Sequence, residues 1–164
     1  MDKKFTHIDA QGRVTMVDVG NKAVTVRKAI AEAWVELAHT TAELLRTSAL
    51  PKGDALACAK VGGILAAKQT SALSPLCHNI NLTFVDIDFK MEGDRLQIIA
   101  EARAKGETGV EMEAIVAAQT AAAIIYDMCK AVQRDIVISR VRLLHKSGGK
   151  SGEFNAREMP LDIA

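Results

Sequence analysis

"INLTFVDIDFKMEGDRLQIIAEARA", residues 80–104, decides how the chain folds. Residues 80–89 are rich in β-branched and aromatic side chains, but their apolar phase switches between Phe84 and Val85. That switch predicts a strand with a bulge, or one covered on both faces. Glu92-Gly93-Asp94 supplies a turn. Residues 95–104 then alternate, with Leu96, Ile98, Ala100 and Ala102 on one side and Arg95, Gln97, Glu101 and Arg103 mostly on the other. Two such strands joined by a short turn make an antiparallel hairpin.

Downstream of this hairpin an alanine-rich helix is expected from Gly109 to Val132, and "RDIVISRVRLLH", 134–145, reads as the last strand, with an irregular tail after Gly148. Upstream, "VTMVDV", 14–19, alternates like a short strand ended by Gly20-Asn21. Ala29, Ile30, Ala33, Trp34, Leu37, Leu44 and Leu45 recur at spacings of three and four, which predicts one helix over 25–47. Pro51 and Gly53 end it, and Asp54 is placed to cap a second helix running to about Thr70. That helix carries Gly62-Gly63, small residues that let another backbone approach. Strand, two helices, two strands, helix, strand is the order of an α+β ferredoxin-like βαββαβ sandwich with one extra helix and an antiparallel sheet. No linker or composition shift divides residues 1–164, so a single domain is expected, with a core over about 14–145 and a loop and tail over 146–164.

The net charge of +1 argues against a general nucleic-acid or membrane-surface binder, although it permits a local cationic pocket. No apolar run reaches the roughly 20 residues that span a bilayer. The opening "MDKKFTHIDAQG" has no apolar signal-peptide core, so a cytoplasmic location is expected. Cys58, Cys77 and Cys129 have no metal-site spacing and read as reduced thiols, with neither metal nor cofactor implied.

Ionisable groups stand at both ends of the 109–132 helix. Thr108 and Glu111 fit a capping box, while Glu113 follows in the first turn, where the helix dipole favours an acid. Asp127 and Lys130, three apart, share a face at the far end, as ordinary surface pairs also do. Glu113 and Asp127 lie about 14 residues apart, roughly 20 Å along the axis, so one small site within a subunit cannot hold both. Either the substrate is long or facing subunits each contribute one end.

"KSGGKSGEF", 146–154, is a Gly/Ser loop with Lys146 and Lys150 after a strand, suited to an anion; it is not a Walker A loop, because Leu144 stands where a glycine is required. Lys52 beside Gly53 precedes a helix, another anion-friendly position. Lys60 and Lys68 on that helix, with Arg27 on the preceding one, are candidates for a cationic wall. In "PLCHN", Leu76 and Cys77 precede His78, which is expected to donate to an anion or a base edge. Adjacent Cys and His in an extended chain point opposite ways and make a weak nucleophile pair. Together these residues suggest a polyanionic small molecule, with a triphosphate fitting best.

The ordered motifs "MVDV", "KGDALACAKVGGILAAKQTSALSPLCHNI", "TGVEMEA", "YDMCKAV" and "KSGGKSGEF" resemble the cyclic pyranopterin monophosphate synthase family, the molybdenum cofactor biosynthesis protein C proteins, from about Phe5 to Phe154. The resemblance implies a lyase that converts 3′,8-cyclo-7,8-dihydroguanosine 5′-triphosphate to cyclic pyranopterin monophosphate and diphosphate. It matches Asp127, Lys130 and Lys52 to catalytic positions, and Leu76, Cys77, His78, Met112 and Glu113 to substrate-binding ones. Arg27, Lys68, Lys146 and Lys150 fall where the family gathers positive charge around phosphates. It further implies a homo-oligomer, a hexamer of dimers with the active site at the dimer interface. Many members have Pro where this chain has Asn79, which removes no ionisable group. A lysine exchanges protons well at neutral pH if its pKa falls toward 7 through burial and nearby cations. A non-catalytic oligomeric nucleotide sensor is the competing reading, though it has no use for Asp127 beside Lys130. A metal-dependent phosphohydrolase is poorly supported by dispersed acids without ligand spacing.

Overall fold

The computed structural model describes residues 7–9 and 11–157. Its elements run β1 (Thr25–Glu36), α1 (His39–Arg46), α2 (Ala55–Lys68), α3 (Thr70–Leu73), β2 (Leu82–Glu92), β3 (Arg95–Gly106), α4 (Glu111–Cys129), β4 (Val137–Ser147) and β5 (Phe154–Asn155). The strands form one sheet in the order β2-β3-β1-β4-β5, every pairing antiparallel. This is the ferredoxin-like α+β arrangement, with β5 added at one edge.

The hairpin forms as its sequence predicts. Ile87 pairs with Ala100 and Phe89 with Ile98, and the register slips between Leu82 and Phe84, next to the phase switch. Leu96, Ile98, Ala100 and Ala102 all point into the core.

The helix expected over 25–47 is half wrong: residues 25–36 are the central strand β1, and only His39–Arg46 are helical. The cause is burial on both faces. Ala29, Ala31, Ala33 and Val35 belong to the main core, while Glu32 and Trp34, at alternate positions, are also buried. A strand covered on both sides loses its polar alternation, and the alanines and tryptophan then mimic helical spacing. The strand expected at 14–19 is also absent. Val14 makes an isolated bridge to Ile8 and residues 15–19 have no regular structure, because the central position in the sheet belongs to β1. The tail is less irregular than expected, since Phe154 and Asn155 pair with Lys146 and His145.

The helices α2 and α4 pack together over the sheet. Asp54 caps α2 as anticipated, accepting from the Ala57 amide at 2.9 Å. On α4, Ala114, Ala117, Ala118, Ala121 and Ala122 are fully buried. Its length and apolar composition would also suit a bilayer span, but here the alanines are its contact with protein. A Cβ on Gly63 would overlap Ile87 Cδ1 and stand 2.8 Å from the Ala117 carbonyl oxygen, whereas one on Gly62 would meet only the Ile124 side chain.

On the opposite face of the sheet Glu32 is 2% exposed. It accepts from Trp34 Nε1 at 3.0 Å, Gln97 Nε2 at 2.7 Å and Arg142 Nε at 2.6 Å. Burial works against its charge, but these donors, Arg142 foremost, outweigh that and hold its carboxyl below the usual range. The network ties β1 to both neighbours, β3 and β4.

Gly63→Ala is expected to destabilise the fold by roughly 1–3 kcal/mol, the cost of overpacking against a backbone carbonyl. Gly62→Ala displaces only a side-chain end, and its gain in helix propensity of about 1 kcal/mol leaves stability unchanged or higher. Urea denaturation of the two variants checks the contrast, and equal effects would refute the role given to Gly63.

Candidate active site

One end of α4 faces a cavity of about 330 Å³ lined by His7, Val17, Val19, Lys22, Leu76, Cys77, His78, Ile80, Thr108, Gly109, Glu111, Met112 and Glu113. The chain reaches it from three directions: the amino-terminal segment, the loop after α3, and the first turn of α4. Leu76, Cys77, His78, Met112 and Glu113 therefore come together as the motifs predict.

Thr108 is not the helix cap. Val110 occupies that position, no side chain caps the helix, and the Glu111 carboxylate folds back over Gly109. The expected capping box fails because Thr108 lies two residues upstream of the cap. Glu111 instead faces Lys146 at 3.9 Å.

Glu113 is 3% exposed and has no ion-pair partner among the described residues. Burial, helped by the neighbouring Glu111 charge, raises its carboxyl above the usual range. A carboxyl so placed is ready to meet N–H donors on a ligand.

His78 Nε2 lies 2.7 Å from the Val17 carbonyl oxygen. That oxygen can only accept, so Nε2 carries the proton, and a neutral His78 offers Nδ1 as an acceptor. It becomes a donor at Nδ1 only as imidazolium, which refines the expectation that it donates to an anion. Ser71 donates to the Asn79 side-chain oxygen, so Asn79 is tied down by its own side chain. Lys68 reaches a neighbouring cavity of about 230 Å³ that also touches His78 and Glu113.

Beside the main cavity, Lys22, Arg27, Lys146, Lys150 and Ser151 line a second one of about 340 Å³, which shares Thr108, Gly109 and Glu111 with the first. Arg27 is on β1, not on a helix as expected, and donates to the carbonyl oxygens of Gly106 at 3.2 Å and Glu107 at 3.0 Å. Gly148 and Gly149 have φ of +94° and +75°, and a Cβ on either would strike Val26 or the Arg27 guanidinium. Two glycines there let the 146–154 loop lie flat on Arg27. Lys60 leaves the anticipated cationic wall: it pairs with Asp86 on β2 at 2.6 Å.

The other end of α4 forms a separate cluster. Asp127 lies 2.7 Å from Lys130 Nζ and 3.0 Å from Lys52 Nζ, and Lys52 also donates to the Asp127 carbonyl oxygen at 2.8 Å. Hydrogen bonds from Lys130 and then Lys52 hold the Asp127 carboxyl below its ordinary range. The hydrogen bond to Asp127 raises the Lys130 ammonium above its own. The depressed lysine expected for proton exchange is therefore not found at Lys130, which is exposed and which Asp127 holds in its charged form, a weaker acid than a free lysine. As anticipated, this cluster and Glu113 stand on opposite ends of one 19-residue helix.

Sequence reasoning missed His7, Val17, Val19 and Lys22. With 14–19 read as a strand, nothing placed that segment against "PLCHN", although the Gly20-Asn21 turn was a signal that Lys22 sits at a bend.

The MoaC family matches the chain over residues 16–149. Curated relatives named cyclic pyranopterin monophosphate synthase include one from Desulfovibrio desulfuricans, 66% identical over 161 residues (97% of this chain, 99% of the relative). Others are from Oleidesulfovibrio alaskensis, 56% identical over 158 residues (95% and 99%), and Nitratidesulfovibrio vulgaris, 54% identical over 154 residues (93% and 96%).

The raised pKa of Glu113 predicts a pH-dependent effect of Glu113→Gln. The folded state holds this proton more tightly than the unfolded one, so its contribution is favourable at low pH. That contribution is lost as pH rises from the ordinary glutamate range through the raised value. The variant should match wild type in thermal midpoint below pH 4 or so and exceed it at pH 8. A midpoint difference that does not change with pH would contradict this account.

Proposed function

The chain belongs to the MoaC family, and from that membership we infer that it is a cyclic pyranopterin monophosphate synthase. The enzyme rebuilds 3′,8-cyclo-7,8-dihydroguanosine 5′-triphosphate into cyclic pyranopterin monophosphate with loss of diphosphate, in molybdenum cofactor biosynthesis. The observation that carries the reading is the juxtaposition, at one end of α4, of a buried carboxyl without a cation and a cationic cavity continuous with it. A purine with a polyphosphate needs such a pair of surroundings.

In this reading Glu113 receives the guanine-type N–H groups, with Leu76, Cys77, His78 and Met112 around the ring. Arg27, Lys68, Lys146 and Lys150 bind the phosphates and stabilise the leaving diphosphate. The five-membered ring of the purine must open, its base must be rebuilt around ribose carbons, and an internal oxygen must displace diphosphate. Each step moves protons. Lys52 and Lys130 act as general acid and base, Asp127 orients Lys130, and the cationic surroundings of the bound site bring the lysines toward neutral exchange.

The separation of roughly 20 Å between Glu113 and Asp127 supports a shared site over a single one spanned by a long substrate. Facing subunits each supply one end of α4, in a hexamer of dimers acting in the cytoplasm.

Purified protein incubated with the cyclised triphosphate, without added metal, should release diphosphate and pterin in equal amounts by mass spectrometry. Lys130→Ala should bind ligand while turnover falls by two or more orders of magnitude, as removal of a general acid does. A graded loss of affinity alone would favour a nucleotide sensor. Mixing inactive Glu113→Gln and Lys130→Ala subunits should restore about a quarter of wild-type turnover, since half of the dimers then contain one intact site of two. No recovery after subunit exchange would place both ends in one subunit and refute the shared site.

A further inference from the structure

We propose that Lys22 binds the phosphate that remains in the product, whereas Lys146 and Lys150 serve the diphosphate that leaves. The inference deepens the function proposed above and rests on it. Lys22 lines the cavity containing His78 and Glu113, and also both cationic cavities, the one with Lys146 and Lys150 and the adjoining one with Thr25, Arg27 and Lys150. Among the described residues it is the only lysine or arginine that lines both the base-binding and the cationic cavities.

The position of Lys22 is built by the chain. Its amide donates to the Val19 carbonyl oxygen at 2.9 Å, closing a turn in which the Gly20 amide donates to Asp18 Oδ1 at 2.8 Å. The side chain is exposed, and no carboxylate among the described residues pairs with its ammonium. This sets it apart from Lys28, Lys52, Lys60, Lys90 and Lys130, which all do pair. Nearby, the buried hydroxyl of Thr25 has no partner either. An unpaired ammonium at the junction of two cavities, with no carboxylate to neutralise it, suits an acceptor-rich anion.

The order of groups in the substrate does the rest. With the base against Glu113 and the outer phosphates against Lys146 and Lys150, the α-phosphate lies at the junction, which is where Lys22 stands. In the closing step an internal hydroxyl oxygen forms a bond to the α-phosphorus. The bond from that phosphorus to the α–β bridging oxygen breaks, diphosphate leaves with the electron pair, and the hydroxyl proton passes to a base. The α-phosphorus stays in the product, so the contact with Lys22 survives the reaction while those with Lys146 and Lys150 do not.

Calorimetric titration with two probes separates the roles. Guanosine 5′-monophosphate carries a base and only the retained phosphate; inorganic diphosphate mimics the leaving group. Lys22→Ala should weaken the monophosphate roughly ten- to hundredfold, the worth of a charge-assisted hydrogen bond, and leave diphosphate within about threefold. Lys150→Ala should do the reverse, and Lys22→Arg should recover most of the monophosphate affinity.

In turnover, Lys22→Ala should weaken inhibition by the cyclic product by the same factor. An unchanged thermal midpoint checks that the variant is folded, and Lys22→Gln repeats the test if it is not. Wild-type affinity for the monophosphate in Lys22→Ala, equal loss for both probes, or no monophosphate binding by the wild type would each overturn the assignment. Binding of both probes by a wild type that forms no pterin would instead remove the cyclase reading and leave Lys22 where it is placed.

Discussion

The close antiparallel contact between α2 and α4 is the constraint on which the rest depends. Gly63 sits where a methyl group would strike Ile87 and the Ala117 carbonyl, so the two backbones approach closely at this point, with Ala121 of α4 alongside. That contact fixes both ends. At one, Lys52, just ahead of α2, reaches Asp127; at the other, Lys68 closes α2 near Glu113 and His78. Spreading the helices by the width of a side chain would loosen both clusters together, although neither contains a glycine of α2.

Charge is distributed to match. Asp127 neutralises part of a two-lysine cluster in the open, where its effect is to keep Lys130 protonated. Glu113 is buried without a cation, and its cost is met by holding a proton or by ligand donors. Arg27 lies beneath the glycine loop with its guanidinium engaged by backbone carbonyls, and supports Lys146 and Lys150 from below. The net charge of +1 conceals these opposed neighbourhoods.

What the sequence made legible follows the physics of each segment. The 80–104 hairpin and the helices at 55–68 and 111–129 announce themselves through a turn, a cap or a long apolar run. The central strand does not. Buried on both faces and built largely from alanine, 25–36 offers no alternation, and its period imitates a helix. Misplacing it moved Arg27 to the wrong element, although Arg27 still lines one cavity with Lys146 and Lys150. Short contiguous stretches keep their members together wherever the fold carries them, as with 76–78 and 112–113 at one cavity. The wall made by His7, Val17, Val19 and Lys22 was not legible, because its place depends on a long-range hydrogen bond from His78 Nε2 to the Val17 carbonyl oxygen that no local pattern encodes.

The helix α4 also limits how the gene can change. Each residue added to an α-helix turns everything beyond it by about 100° and moves it by about 1.5 Å. A single-codon insertion or deletion within 111–129 would leave the alanine waist out of phase with Gly63. It would also swing Asp127 away from Lys52, or Glu113 out of its cavity. A change of length is better borne at a connection such as the 93–94 turn, which carries no helical phase forward to either cluster.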